Sequence, residues 1–347
     1  MEDILRRIFV ALLPLLLGAP CASASRSNPV KFLIVSSPRS AKLSYMRIHQ
    51  GGLNGQGPVE DLITAGMVDP QGIAVDQKRK RLFVADPDSR RIFAYPLTVS
   101  GTALAAGNPK IVADNIEARW VACDSSGNLF YSDEVTNKIM RIPIGENSAA
   151  WKPKEDIFSF AQVHEGVAAE IVYDGASLSQ VSAPGGIAID TFQTYWVNKQ
   201  IGTQVGSLIA GMEQPSSGPQ VVSLTSNTDK SYGVCLALNN VFYTQPEKSI
   251  YGVKTNGENV ALINNQLMNP RGCAWDGDGT VYVADRGANG VYSFAANMKE
   301  LGGSEATRVA DFEDAFGVAV FSNARRYAAT SLIGVLAVIG SIGCLQL

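Results

Sequence analysis

An all-β fold, a six-bladed β-propeller whose last blade is closed by N-terminal strands, is predicted by three observations on the 347-residue sequence. A short inner-strand pattern recurs six times. A second, apolar strand follows five of the copies. The pair that the sixth copy lacks stands at the other end of the chain. Repeats of roughly 40 to 50 residues, each a small antiparallel sheet, are how propellers are written in sequence.

In chain order, the displaced pair comes first, as Phe32-Leu33-Ile34-Val35-Ser36 and Lys42-Leu43-Ser44-Tyr45-Met46-Arg47. The inner pattern then opens as Gly72-Ile73-Ala74-Val75-Asp76 and returns with starts at Trp120, Gly186, Gly233, Gly272 and Gly317. Second strands follow, ending at Asp86, Asp133, Asn198, Gln245 and Asp285, and third strands such as Arg91-Ile92-Phe93-Ala94-Tyr95 come after them. The copy at Gly317 has no room for further strands, because the globular part, 28–321, ends at Phe321. Borrowing 32–47 closes the ring and hides the edges that an open sheet would expose.

Composition agrees with one large packed domain: 46% hydrophobic and only 18% charged residues. A net charge of -3 with no basic stripe gives no basis for nucleic-acid binding. Residues 1–24 read as a secretory signal, with Arg6-Arg7, an apolar run over 8–17 and Ala22-Ser23-Ala24 as cleavage site. Residues 322–347 read as a C-terminal hydrophobic anchor signal: small residues at Ser322-Asn323-Ala324, a short spacer, then an uncharged run over 328–347. A glycolipid anchor fits better than a single span, because no basic residues follow the run and Arg325-Arg326 stand on the lumenal side. The expected location is the secretory pathway and the cell surface.

Of five cysteines, Cys21 leaves with the signal and Cys344 lies in the tail. Cys123, Cys235 and Cys273 fall in inner strands. Cys235 and Cys273 stand one step out of phase, so alternation along a strand is taken to point them opposite ways, and all three are expected to be buried free thiols. No Asn-X-Ser/Thr site occurs.

The run Phe242-Tyr243-Thr244-Gln245, Ile250-Tyr251, Thr255-Asn256-Gly257 and Asn269-Pro270-Arg271-Gly272-Cys273-Ala274-Trp275-Asp276 resembles a YWTD repeat, the class B repeat of low-density-lipoprotein receptors. Asp69-Pro70-Gln71-Gly72-Ile73-Ala74-Val75-Asp76 with Leu82-Phe83-Val84-Ala85-Asp86 sits equally close to the NHL repeat. The resemblance implies that Asp86, Asp133 and Asp285 tie each blade to its neighbour. Asn198 and Gln245 depart from that aspartate, so their blades are expected to lack its hydrogen bonds.

Ligand sites of propellers lie where the inner strands begin. The residues one step before the glycine position are Gln71, Arg119, Gly185, Tyr232, Arg271 and Phe316. Two arginines and a tyrosine suit a carboxylate, sulfate, phosphate or acidic peptide, because guanidinium forks bind such oxyanions bidentately. The alternative is that Arg119 and Arg271 pair with Asp133, Glu134 or Asp285. The function expected is a binding or adhesion module for an extracellular protein, peptide or anionic ligand, with the membrane reached through the C-terminal anchor.

Enzyme chemistry has less to stand on. The two histidines, His49 and His164, fall away from the strand ends, so no nucleophile–His–acid set is in view. Propellers of the gluconolactonase kind hold a divalent metal at the mouth. The candidates here are Asp86, Asn198 and Asp285, which makes a metal-dependent lactonase or esterase the second reading. No cofactor is expected unless those oxygens hold a divalent cation. The insertion 145–183 breaks the repeat. It contains a candidate outer strand, Glu170-Ile171-Val172-Tyr173, and is read either as a face-capping element or as a fourth strand with an excursion.

Overall fold

The structure, a computed structural model, describes residues 30–48, 57–145, 168–199, 206–215 and 220–323. The signal, the tail beyond Asn323, His49, His164 and most of the insertion lie outside them.

Twenty-five strands build six blades among the described residues. Blade 1 holds β4 (Ile73–Asp76), β5 (Arg81–Asp86) and β6 (Arg91–Ser100), the last paired with both β7 (Ala103–Ala106) and β8 (Lys110–Asp114). Blade 2 comprises β9 (Trp120–Cys123), β10 (Leu129–Asp133), β11 (Lys138–Ile142) and β12 (Glu170–Asp174). Blade 3 runs β13 (Pro184–Ile189), β14 (Gln193–Asn198), β15 (Gly206–Met212) and β16 (Val221–Thr228). Blade 4 runs β17 (Val234–Ala237), β18 (Asn240–Thr244), β19 (Ile250–Lys254) and β20 (Ala261–Asn264). Blade 5 runs β21 (Pro270–Trp275), β22 (Thr280–Asp285), β23 (Gly290–Ala295) and β24 (Thr307–Asp311). Blade 6 is composite: β25 (Val318–Ser322) is its inner strand, followed by β1 (Lys31–Ser37), β2 (Lys42–Ile48) and β3 (Glu60–Ile63). Lys31 pairs with Ser322 and Val35 with Val318, so the N-terminus closes the ring as the sequence implied. The candidate strand of the insertion is β12, the outer strand of blade 2.

The inner strands β4, β9, β13, β17, β21 and β25 stand side by side around the axis. Each junction between blades has its own apolar cluster. Phe83 and Ala85 of β5 meet Leu129 and Tyr131 of β10, whereas Leu82 and Val84 face Phe32 and Ile34 of β1. Second strands are therefore buried on both faces, which is why they read as unbroken apolar runs rather than alternating ones.

The glycine step has a steric cause. A Cβ built at Gly72, Gly186, Gly233, Gly272 or Gly317 would lie within 3.0 Å of the carbonyl oxygen of Arg119, Tyr232, Arg271, Phe316 or Gln71 on the next blade. Hydrogen bonds exploit that approach. Gly72 N–H donates to Arg119 O (2.9 Å), Gly186 N–H to Tyr232 O (2.6 Å) and Gly272 N–H to Phe316 O (2.9 Å). In blades 4 and 6 a hydroxyl intervenes. Thr244 Oγ1 accepts from Gly233 N–H and donates to Arg271 O (2.7 Å), and Ser36 Oγ accepts from Gly317 N–H and donates to Gln71 O (2.5 Å).

Two expectations are corrected. Cys235 and Cys273 form a disulfide between blades 4 and 5, with Cα atoms 5.6 Å apart. One face of a blade packs on the opposite face of the next, so residues one step out of phase on neighbouring blades are the ones that meet. Cys235, two steps past its turn into β17, faces blade 5 with Phe242, and Cys273, one step past Gly272, faces back with Val283. Cys123 remains a free thiol, half-buried, and burial pushes its pKa up to about 12. The second correction concerns Asn198. Its Oδ1 accepts from Ser182 N–H (3.1 Å) and its Nδ2 donates to Gln180 O and Ser207 Oγ (both 2.9 Å), so the amide fastens its loop as an aspartate would and adds two donor bonds. Blade 4 does without a carboxylate through Thr244 and the disulfide.

Candidate functional site

Every inner strand starts at one end of the ring, the rim, and there the side chains diverge. Gln71 and Phe316 are buried, whereas Arg119, Tyr232 and Arg271 are half-buried. Gly185 lies against Ser231 O and Tyr232 O and presents no side chain. Phe316 of blade 6 packs at a tilt against Trp120 of blade 2, ring centroids 5.1 Å apart, a contact that spans the channel because blade 1 lies between those blades. Trp120 holds the step that is glycine elsewhere, and its indole fills space beside Ile187 and Trp196. Below the rim, the inner strands enclose a cavity of about 260 Å³ lined by Ala74, Val121, Ile187, Val234, both disulfide cysteines and Val318 among others.

Tyr232 gathers the positive charge. The Arg271 guanidinium lies 3.9 Å from its ring centroid, Lys230 Nζ 5.6 Å and Lys199 Nζ 5.8 Å. The negative face of an aromatic ring attracts cations, most strongly when water is partly excluded. Burial lowers the pKa of Arg271 and of Lys199, with nearby acids opposing the shift. Lys199 is ion-paired with Glu134.

The arginines differ in what they already hold. Arg119 reaches Glu117 Oε1 (2.9 Å) and Glu134 (3.9 Å) and approaches Gln71 Oε1 (3.5 Å). Arg286 pairs with the fully buried Asp314 at 2.5 Å and lies over Phe316 at 5.8 Å. Arg271 donates to its neighbour Pro270 O (3.1 Å), and among the described residues no carboxylate lies within 4.0 Å of it. The expected pairing with rim carboxylates therefore holds for Arg119 with Glu134 and fails for Arg271. Asp285 is engaged elsewhere: its Oδ1 accepts from Asn269, Gly287 and Ala288 N–H and its Oδ2 from Met268 N–H. Asp133 caps its own turn at Thr136 N–H (2.9 Å). Half-buried Asp69, whose carboxyl is raised by desolvation, accepts from Gln71 Nε2.

The metal candidates sit at second-strand ends of blades 1, 3 and 5. Asp86 accepts from Val68 (2.8 Å), Asp69 (2.9 Å) and Ser89 (3.3 Å) N–H, so its oxygens, like those of Asn198 and Asp285, are committed to loop backbone. Among the described residues no group of three or more His, Cys, Asp or Glu could hold a metal ion.

Sequence reasoning named Glu134 as a pairing partner but missed the rest of a second ring of rim residues, those immediately after the second strands. Glu134, Lys199 and Arg286 follow Asp133, Asn198 and Asp285, and all three engage the first ring. Position after the strand-end residue was the signal that could have found them.

No family model matches the sequence, and no curated protein matches it. Among solved structures, a chain of the crystal structure of the nidogen/laminin complex superposes with a TM-score of 0.63 at 12% identity, over 84% of this chain and 98% of that one. A putative 6-phosphogluconolactonase from Bacteroides fragilis superposes with a TM-score of 0.54 at 13% identity, over 86% and 99%. At these identities the likeness is one of fold.

Proposed function

We propose that the chain is a secreted, membrane-anchored propeller of the YWTD/NHL kind that binds an oxyanion-bearing ligand, such as the acidic segment of an extracellular protein, at its rim. The observation that carries this reading is Arg271. It is a half-buried guanidinium, aligned at 3.9 Å on Tyr232, a ring that Lys199 and Lys230 also approach, and without a carboxylate partner among the described residues. A desolvated guanidinium with donors to spare binds a carboxylate or sulfate more strongly than an exposed one. The Cys235–Cys273 bridge supports an oxidising compartment, which agrees with the signal-like residues 1–24.

The lactonase reading draws on the likeness to the putative 6-phosphogluconolactonase, a likeness of fold, while its oxygen donors are the ones committed to loop N–H groups. Calorimetric titration of residues 30–323 with sulfated glycans and acidic peptides tests the binding reading. Saturable binding that Arg271→Gln weakens at least about ten-fold supports it, in line with a charge-assisted bidentate contact. Equal binding by both proteins sinks it.

A further inference from the structure

We propose that the face opposite the rim is seated on a lipid bilayer, so that the ligand mouth points away from the membrane. The first support is topological. Inner strands run from the rim to the far end, and β25 finishes there at Ser322 beside the start of β1, with Asn323 N–H donating to Val30 O at 3.0 Å. The first and last described residues, Val30 and Asn323, therefore both stand at this face. The apolar run begins at Ala328, five residues beyond Asn323, a stretch that spans at most about 17 Å. A tail of that length inserted in a bilayer, or replaced by a lipid at 322–324, brings this face to the headgroups.

The turns that link first to second strands form the tips of the same face, and their composition suits such a seat. The blade 3 tip carries Phe192, 76% exposed, whose carbonyl accepts from Glu213 N–H at 2.8 Å and so brings Met212, 44% exposed, alongside. The blade 4 tip carries Leu238, 61% exposed. Blade 1 contributes exposed Lys80. The exposed acid of the blade 5 tip, Asp278, stands 3.8 Å from Lys31. Aromatic and aliphatic tips on blades 3 and 4 and an amine on blade 1 are groups that partition into a headgroup layer, the rings at the acyl boundary and the amine at the phosphates.

This inference rests on the anchored part of the proposed function and is independent of the anion site. The test uses the chain with its tail, residues 25–347, in phosphatidylcholine vesicles containing some phosphatidylserine. With Cys123→Ser and Cys344→Ser removing the other free thiols, an environment-sensitive probe is attached at Thr191→Cys or at Met268→Cys, which lies beside the rim. Quenching by headgroup nitroxides is expected to be several-fold stronger at 191 than at 268. Equal quenching, or stronger quenching at 268, overturns the proposal, as does an unquenched 191. As a second measurement, the tail-free propeller 30–323, whose ring closes within itself, is floated with the same vesicles. Phe192→Ser with Leu238→Ser is expected to weaken partitioning about ten-fold, the effect of withdrawing two apolar side chains from the interface. Unchanged partitioning, or none by the parent, overturns the seat. Failure of the tailed chain to float would remove the anchor reading and this proposal with it, while leaving the anion titration untouched.

Discussion

The two ends of the inner strands obey different rules. Where the strands finish, four of six blades place an aspartate, and each one caps the turn that follows. Asp76 accepts from Lys78 and Arg79 N–H, Asp124 from Asn128 N–H, Asp190 from Phe192 and Gln193 N–H, and Asp276 from Asp278, Gly279 and Thr280 N–H. Where the strands begin, the equivalent position holds Gln71, Arg119, Gly185, Tyr232, Arg271 or Phe316. The reason lies in which atoms the ring uses. At the finish, the fastening atom is a side-chain oxygen, so the residue repeats. At the start, it is the backbone carbonyl, which any residue supplies, so five side chains are released for other work.

If that account is right, residues whose side chains fasten the ring should cost far more to replace than rim residues. The largest effect is expected at Asp285, fully buried and accepting four N–H groups. Asp285→Ala strands those donors and should destabilise by about 3–5 kcal/mol, measured by denaturant unfolding. A loss below about 1 kcal/mol would break the comparison at its strong end.

Next comes the disulfide, which closes a loop with a sequence separation of 38. Chain-entropy reasoning assigns such a link about 3–4 kcal/mol. Replacing both cysteines by serine should therefore lower the melting temperature by about 10 °C, and a reductant should do the same to the parent but not to the variant. If the variant melts with the parent, blades 4 and 5 are held by Thr244 and packing alone.

The repeat made the architecture legible because both devices that create it, the glycine approach and the doubly buried second strand, leave marks in sequence. The closing blade was legible for the same reason: β1 continues the pattern that β25 starts. The Cys235–Cys273 bond was hidden by a property of rings rather than of strands. Alternation within a sheet assigns each cysteine a face, but only the packing of one blade's face on the next blade's opposite face brings Cys235 to Cys273. The charge around Tyr232 was half legible. Arg271 and Tyr232 occupy pattern positions, whereas Lys199 and Lys230 come from loops whose course no periodicity fixes. The doubled pairing of β6 with β7 and β8 left no mark, since residues 97–106 carry neither the glycine step nor a second-strand run.

A smaller effect is expected at the turn aspartates, and its pH dependence has a definite sign. Burial alone would raise the Asp276 carboxyl, but N–H donors from Thr280, Gly279 and Asp278 and the charge of Lys31 hold it below its ordinary value. A depressed carboxyl contributes stability that is fully present above its unfolded pKa, about 3.9, and is lost as pH falls through the lower folded value. Asp276→Ala should therefore cost about 1–2 kcal/mol at neutral pH and progressively less below about pH 4. A difference that grows on acidification would contradict the hydrogen-bonding pattern.

The smallest stability effect, and the sharpest test, belongs to Arg271. Its carbonyl is a fastening atom, accepting from Thr244 Oγ1 at 2.7 Å, but among the described residues its side chain bonds only to its neighbour's carbonyl and the face of Tyr232. Arg271→Gln keeps the backbone acceptor and removes the cation. It should change unfolding free energy by less than about 1 kcal/mol, since stacking is partly lost while a burdensome desolvated charge is also relieved. Binding of an anionic ligand should fall in the same protein by at least about ten-fold. A stable variant that no longer binds separates the two uses of one residue, backbone for the ring and side chain for the ligand. A variant that unfolds as readily as Asp285→Ala would mean instead that the guanidinium is itself a fastener, and the distinction between the two ends of the strands would fail at the position where it matters most.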